Sequence, residues 1–159
     1  MLMFWLTLLA AAVVIQIAVF TTTIYLHRSE THHAVVLHPF AKGVFKLALC
    51  LTTGLVTKEW VAVHRKHHAF TDEVDDPHSP KHKGFWPVQL GNVFYYLRGV
   101  KELRKTGELE RYSQGINEDA WDRYVFNHGL VGVSVGTAIL CFVLGWWGLL
   151  AAGVHAFMY

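Results

Sequence analysis

Eleven histidines are spread unevenly over the 159 residues, and two groups of them are dense enough to do chemistry. The denser group is His64-Arg65-Lys66-His67-His68, followed by Ala69-Phe70-Thr71-Asp72. On a helix at about 100° per residue, positions 64, 67 and 68 fall within roughly 100° of one another, so three imidazoles can converge on one point. That is a metal-ligand arrangement. The second group, His27-Arg28-Ser29-Glu30-Thr31-His32-His33, closes a long apolar run. Two such groups fit neither a solvated surface nor simple packing, but they suit a histidine-ligated metal centre seated against a membrane. The second group carries a difficulty. His27 and His32 are five positions apart, about 140° around an α-helix, so a regular helix cannot aim both at one atom. Two metals, or a helix that ends between them, would resolve it.

Histidines alone do not choose the metal, because imidazole suits iron, zinc, copper and nickel alike. A zinc-protease helix needs His-Glu-x-x-His with the glutamate as base. Here Arg65 and Lys66 occupy the intervening positions and the spacing is His-x-x-His-His. Zinc proteolysis does not fit.

The elements that must position these groups follow from where charge is absent. The chain is 53% hydrophobic, and all 14 Lys and Arg and all 12 Asp and Glu lie between Arg28 and Arg123. Uncharged ends around a charged middle are a membrane-protein pattern. A formal net charge of +2 with no basic stripe argues against nucleic acid as a partner. Cys50 and Cys141 sit in apolar stretches without a CxxC and read as buried thiols. Residues 1–26 form the first expected transmembrane helix; a signal peptide would need a basic segment ahead of the apolar run. Residues 27–128 form a cytoplasmic or interfacial metal-binding region, by the positive-inside tendency. Within it, Phe40 to Thr57 is expected to stay on one side as a re-entrant or interfacial helix, with Lys42 and Lys46 snorkelling to headgroups. If that segment crossed, His27 and His64 would emerge on opposite faces about 30 Å apart.

Further on, Asp75, Asp76, Pro77, Pro80 and Gly84 mark a loop. Val93, Leu97 and Val100 recur at helical spacing beside Lys101, Arg104 and Lys105, suiting either an anionic lipid surface or packing on the chain's own domain. Asn117 resembles an N-cap for a helix bearing Trp121 and Tyr124. Residues 129–147 form a second expected transmembrane helix. Residues 149–159 read as the start of a returning helix, shorter than the roughly 20 residues a span needs, so the chain is expected to be truncated. The fold class is therefore all-α: an integral membrane bundle with a cytoplasmic helical cap carrying histidine boxes.

His27-x4-His32, then Glu59-Trp60 ahead of His64-x2-His67-His68, then Thr71-Asp72, Asp76-Pro77-His78-Ser79 and Gly84-Phe85-Trp86 resemble the membrane fatty acid desaturases, particularly the acyl-CoA delta-9 type. The similarity runs from about residue 14 to 128. It implies two iron ions on the cytoplasmic side, held in this chain by His27, His32, His64, His67 and His68. It implies an oxidoreductase that uses dioxygen to place a double bond in a saturated acyl-CoA or acyl-lipid. Electrons would come from a ferredoxin, rubredoxin or cytochrome b5 type carrier with its reductase, and the expected location is a bacterial inner membrane. The cationic segment from Arg98 to Lys105 would dock that carrier or a CoA headgroup. The family's third box, a further His-x-x-His-His, has no counterpart here, and His128 and His155 are too isolated to replace it; five imidazoles are too few for two irons.

Around the ligands, Asp72 and Asp76 are candidates to orient ligand imidazoles, with turn formation as the alternative. His78 is a candidate for supporting the site or the acyl headgroup, or for shaping the loop. Trp60, four residues before His64, either lines an acyl channel or packs in the core. His33 is a weaker ligand candidate, His38 and His82 read as solvated or interfacial, and His155 as a packing residue. Two rivals remain, a related membrane di-iron hydroxylase and a non-catalytic membrane metal-binding fragment.

Overall fold

From Leu2 to Thr21 the sequence has no charge, glycine or proline to interrupt a helix, and it forms helix α1 over that whole range. The computed structural model describes residues 1–159, entirely as helices and turns. Helix α1 continues without a break as a π-helical segment, Thr22–Thr31, so that a single 30-residue helix runs from Leu2 to Thr31. At about 1.5 Å per residue it is longer than a roughly 30 Å hydrocarbon core, and over Leu2–Thr21 it is apolar on every side. Only 17% of its most apolar window is buried, and Leu2, Trp5, Leu9, Val13, Ile17 and Phe20 all face outward. A core helix of a soluble protein would hide them. It is the one helix long and apolar enough to cross a membrane.

The helices gather into two units, Met1–Val56 with Glu118–Tyr159, and Thr57–Asn117. In the first, α1 is joined by α2 (Pro39–Thr52), α7 (Gly129–Leu144) and α8 (Trp147–Met158), with a π-helical turn at Asp122–Phe126. Each of the four long helices packs against two others, α1 on α2 and α8, and α7 on α2 and α8. Small residues permit this. A methyl group on Gly132 would overlap Cys50, and one on Gly136 would overlap the Leu51 carbonyl, so the glycine face of α7 brings its backbone against that of α2. Close backbone approach is the usual basis of helix association where apolar surroundings remove the hydrophobic drive. His155 is buried on α8, and its Nε2 donates to the Thr52 carbonyl at 2.8 Å, satisfying one of the open carbonyls at the end of α2. Trp146 and Trp147 stack at 4.1 Å beside Gly145, whose φ of +61° ends α7.

The second unit consists of α3 (Thr57–Ala69), α4 (Pro80–Lys83), α5 (Phe85–Thr106) and α6 (Glu108–Tyr112). Its core is Ala62 and Val63 against Val100 and Leu103, with Tyr96, Leu109 and Tyr112 packed around them. Gly91 kinks α5, and Gly107, at φ +73°, turns the chain into α6.

Several expectations change on this scaffold. Helix α2 has 14 residues, about 21 Å, too short to cross the core alone. Its lysines do not snorkel outward. Lys42 meets Glu30 at 2.7 Å, and Lys46 meets Asp122 at 2.7 Å and Asp119 at 3.3 Å. Lys46 is mostly covered, and a covered ammonium requires a counter-ion. Asn117 is not the cap; Asp119 and Asp122 instead exchange side-chain bonds with each other's amides at 2.8 and 3.0 Å. Val93 and Leu97 are exposed while Val100 is buried, because α5 reaches the core through Val100 and Leu103, with Tyr96 packed beside them. Helix α7 stops at Leu144, and its 16 residues make about 24 Å, short of the expected span.

The α7–α2 contact gives a direct test. Gly136→Ala should lower the unfolding free energy of the chain in detergent by about 1–3 kcal/mol. Gly153→Ala, inside α8 where nothing lies within 4 Å, should not lower it and should add about 0.5–1 kcal/mol. Equal stability of the two variants would contradict the close packing described.

Candidate metal centre

The first histidine pair owes its geometry to the π-helical segment. Thr22-Thr23-Ile24 and Thr31 are β-branched and favour the α-helix less than Leu or Ala do. In a turn closed by i→i+5 bonds, residue i+5 comes to lie nearly above residue i. The His32 amide donates to the His27 carbonyl at 3.1 Å, the i→i+5 bond itself, and the two rings stand 4.6 Å apart. The 140° separation expected for an α-helix is thereby removed within one continuous helix. Between the two rings in sequence, Ser29 donates to Glu30, which also takes Lys42. His33 is exposed with φ +52°, at the point where the chain leaves the helix.

In the second unit, α3 is held along one side by ion pairs and presents its histidines on another. Lys58 binds Glu110 at 2.7 Å, Lys66 binds Glu108 at 3.0 Å, and Arg104 pairs with Glu59. Arg65 donates to the carbonyls of Tyr112 and Gln114 at 3.2 and 2.7 Å. Arg65 and Lys66, which argued against a protease helix, are thus the residues that fix the rotation of α3. With that rotation fixed, the ring centroids of His64 and His68 lie 4.6 Å apart, those of His67 and His68 5.7 Å, and those of His64 and His67 6.2 Å. The Nε2 atoms of His64 and His68 approach to 3.1 Å. Two nitrogens bound at about 2.1 Å to one ion at near right angles stand about 3 Å apart, so the spacing fits shared ligation.

His67 is oriented by a carboxylate. Its Nδ1 lies 2.9 Å from both oxygens of Asp76, which is wholly buried and also accepts the amides of Asp72 and His78 at 3.1 Å. Burial pushes the Asp76 carboxyl up, but the bonds from His67, His78 and Asp72 outweigh it and hold the group below its usual value. An ionised Asp76 favours the proton on Nδ1 of His67, which makes Nε2 the nitrogen able to face a metal ion. His78 stacks on His67 at 4.6 Å. Burial, and then the neighbouring His67, hold its imidazole below the usual value. His67, Asp76 and His78 each offer an atom within 4.8 Å of the others. Asp76 is already occupied by three donors, which suits it to orienting a ring more than to ligating.

Asp72 sits elsewhere. Its carboxylate accepts from Ser79 at 3.0 Å, its carbonyl lies 2.8 Å from His82 Nε2, and its φ is +62°, so it shapes the loop, and its carboxylate is turned to Ser79 rather than to the α3 histidines. Trp60 stacks on His64 at 4.4 Å and 18°, fixing the plane of that ring. His38 accepts the Phe40 amide at 3.2 Å and caps α2. Sequence reasoning missed Thr31, which donates to the Leu26 carbonyl at 2.8 Å inside the π-helical segment. The signal was present in the awkward five-residue histidine spacing.

Because its acidity is increased by folding, Asp76 stabilises the fold above the ordinary carboxylate range, and that contribution is lost as pH falls through the depressed value. Asp76→Asn should cost about 1–3 kcal/mol at pH 7 and flatten the decline of stability below about pH 4. Urea unfolding of the chain in detergent across pH measures both; an unchanged acid slope would contradict the Asp76–His67 bond.

The sequence matches the fatty acid desaturase family over residues 2–159. It is 27% identical over 132 residues to an sn-1 stearoyl-lipid 9-desaturase of Synechocystis sp., covering 83% of this chain and 39% of the relative. It is 29% identical over 158 residues to an acyl-CoA 5-desaturase of Anemone leveillei, covering 97% of this chain and 47% of the relative. A third relative is a hex-5-enoyl-[acyl-carrier protein] acetylenase of Moorena producens, 36% identical over 76 residues, which are 47% of this chain and 22% of that one. The chain therefore spans less than half the length of these curated relatives. No solved structure matches it. With the family matched along nearly its whole length and the histidine groups formed in both units, the chain belongs to the fatty acid desaturase family.

Proposed function

We propose that this chain is part of a membrane di-iron acyl desaturase, in which His27, His32, His64, His67 and His68 ligate the iron. The observation that carries the reading is that each unit independently gathers its own imidazoles, the first by an i→i+5 turn and the second by the rotation of α3. The donor set fits iron: imidazole nitrogens, one ring tied through Nδ1 to a buried carboxylate. The relatives named for acyl-lipid and acyl-CoA desaturation support an acyl substrate.

An unactivated methylene is not acidic, so no side-chain acid or base can remove its hydrogens; iron, when bound, would supply the oxidising chemistry with dioxygen. The overall balance is one saturated CH2–CH2 unit, dioxygen, two electrons and two protons giving one double bond and two waters. Asp76 would keep His67 in the Nδ1-protonated form, and Trp60 would hold the plane of His64. Trp60 would also line the acyl path. The electrons would come from a ferredoxin, rubredoxin or cytochrome b5 type carrier, with the histidine groups on the cytoplasmic side of a bacterial inner membrane. Arg98, Lys101 and Lys105 are exposed and would serve a docking surface; Arg104 is engaged with Glu59.

The test is anaerobic loading of the chain with ferrous iron in lipid nanodiscs, followed by metal analysis after desalting. Retained iron should fall at least tenfold in His27→Ala and His64→Ala, and Asp76→Asn should weaken affinity by about 10–100-fold. Equal retention in all variants, or none in the native chain, would contradict the reading. For the whole protein, an alkene product supports desaturation and an alcohol would support the hydroxylase.

A further inference from the structure

Serine and threonine hydroxyls in helices commonly return a hydrogen bond to a carbonyl one turn back. Thr7, Thr52, Thr53, Thr71, Thr106 and Ser134 all do so to the residue four positions earlier. Thr31 differs. Its buried hydroxyl donates at 2.8 Å to the carbonyl of Leu26, five positions back. The carbonyl it would meet in an α-helix, that of His27, accepts the amide of His32 at 3.1 Å. The reach of this side chain therefore matches the wider turn and competes with the ordinary one.

We propose that Thr31 is a positioning residue whose hydroxyl, bonded to the Leu26 carbonyl, holds the i→i+5 register and so keeps the rings of His27 and His32 within 4.6 Å of each other. Its consequence rests on the metal-centre reading above, whereas its geometry rests on the hydrogen bond. In an α-helix, positions 27 and 32 would be about 7.5 Å apart along the axis and turned by about 140°. They would then be out of reach of a common ligand. A shift of one residue in register at this turn would disassemble the pair without changing any histidine.

The register can be read without metal, because a disulfide needs Cα atoms closer than about 7 Å. The metal-free chain carrying His27→Cys and His32→Cys, in lipid nanodiscs, is oxidised mildly, and the internal disulfide is quantified by peptide mass, which separates it from Cys50 and Cys141. The disulfide should form with Thr31 and with Thr31→Ser. It should fall about fivefold with Thr31→Val, the population change expected from one lost hydrogen bond. Thr31→Ala replaces Thr31→Val if the latter loses helical circular dichroism. Equal yield in the variant lacking the hydroxyl, or no disulfide with Thr31 present, would overturn the proposal. Iron retention is measured in parallel on chains with both histidines intact. The expected disulfide pattern with no iron retained anywhere would defeat the metal reading and leave the register role of Thr31 standing.

Discussion

Two imidazoles five residues apart on one unbroken helix can meet at one point only if the backbone between them is wound more widely than an α-helix. That constraint is met by the change of register at Thr22, where α1 passes into the π-helical segment without a break in the chain direction. The apolar helix that can cross the bilayer and the turn that presents His27 and His32 are therefore one continuous element. A rigid element of this kind fixes ligand direction better than a loop would, since each ring inherits its position from the helix axis. The cost is local, because π-helical turns are intrinsically less favourable and persist where surrounding contacts hold them. Here Tyr25, Leu26, Ser29 and Thr31 are all buried around the turn.

The second unit solves the same problem differently. Helix α3 is an ordinary α-helix, and its His-x-x-His-His spacing already puts three rings within reach of one another. What it needs is a fixed rotation, and charge supplies that. Lys58, Glu59, Arg65 and Lys66 are each tied to α5 or to the segment beginning with α6. Exposed pairs of this kind contribute little stability individually, but several along one side of a short helix specify which side faces its neighbours. The direction of the three histidines is thereby set by residues on the opposite side of α3. Asp76 completes the arrangement from the following loop, where Asp72, Ser79 and His82 hold the backbone that carries it.

Much of this was legible in the residues. The charge-free run from Leu2 predicted a long apolar helix, and the spacing of His64, His67 and His68 predicted that they share one side of α3, because both depend only on helical periodicity. The family could be read from the same motifs. The register change at Thr22 could not, since threonine-rich stretches occur in ordinary helices and the preference for a wider turn is settled by burial and by the Thr31–Leu26 bond. Lys42 and Lys46 look like snorkelling lysines in an apolar run; their partners, Glu30, Asp119 and Asp122, lie 12 to 76 positions away. Asp72 and Asp76 were indistinguishable in sequence. The backbone separates them, since the left-handed conformation at Asp72 directs its carboxylate to Ser79, while Asp76 points inward to His67.

Both histidine groups acquire their purpose from the claim that they ligate iron through imidazole nitrogen. X-ray absorption at the iron edge of the loaded chain reports this directly, because rigid imidazole rings add characteristic outer-shell scattering. The account predicts a nitrogen and oxygen shell near about 2.1 Å with an imidazole signature that weakens in His32→Ala and in His68→Ala. A spectrum without imidazole scattering, or one unchanged by both substitutions, would contradict it.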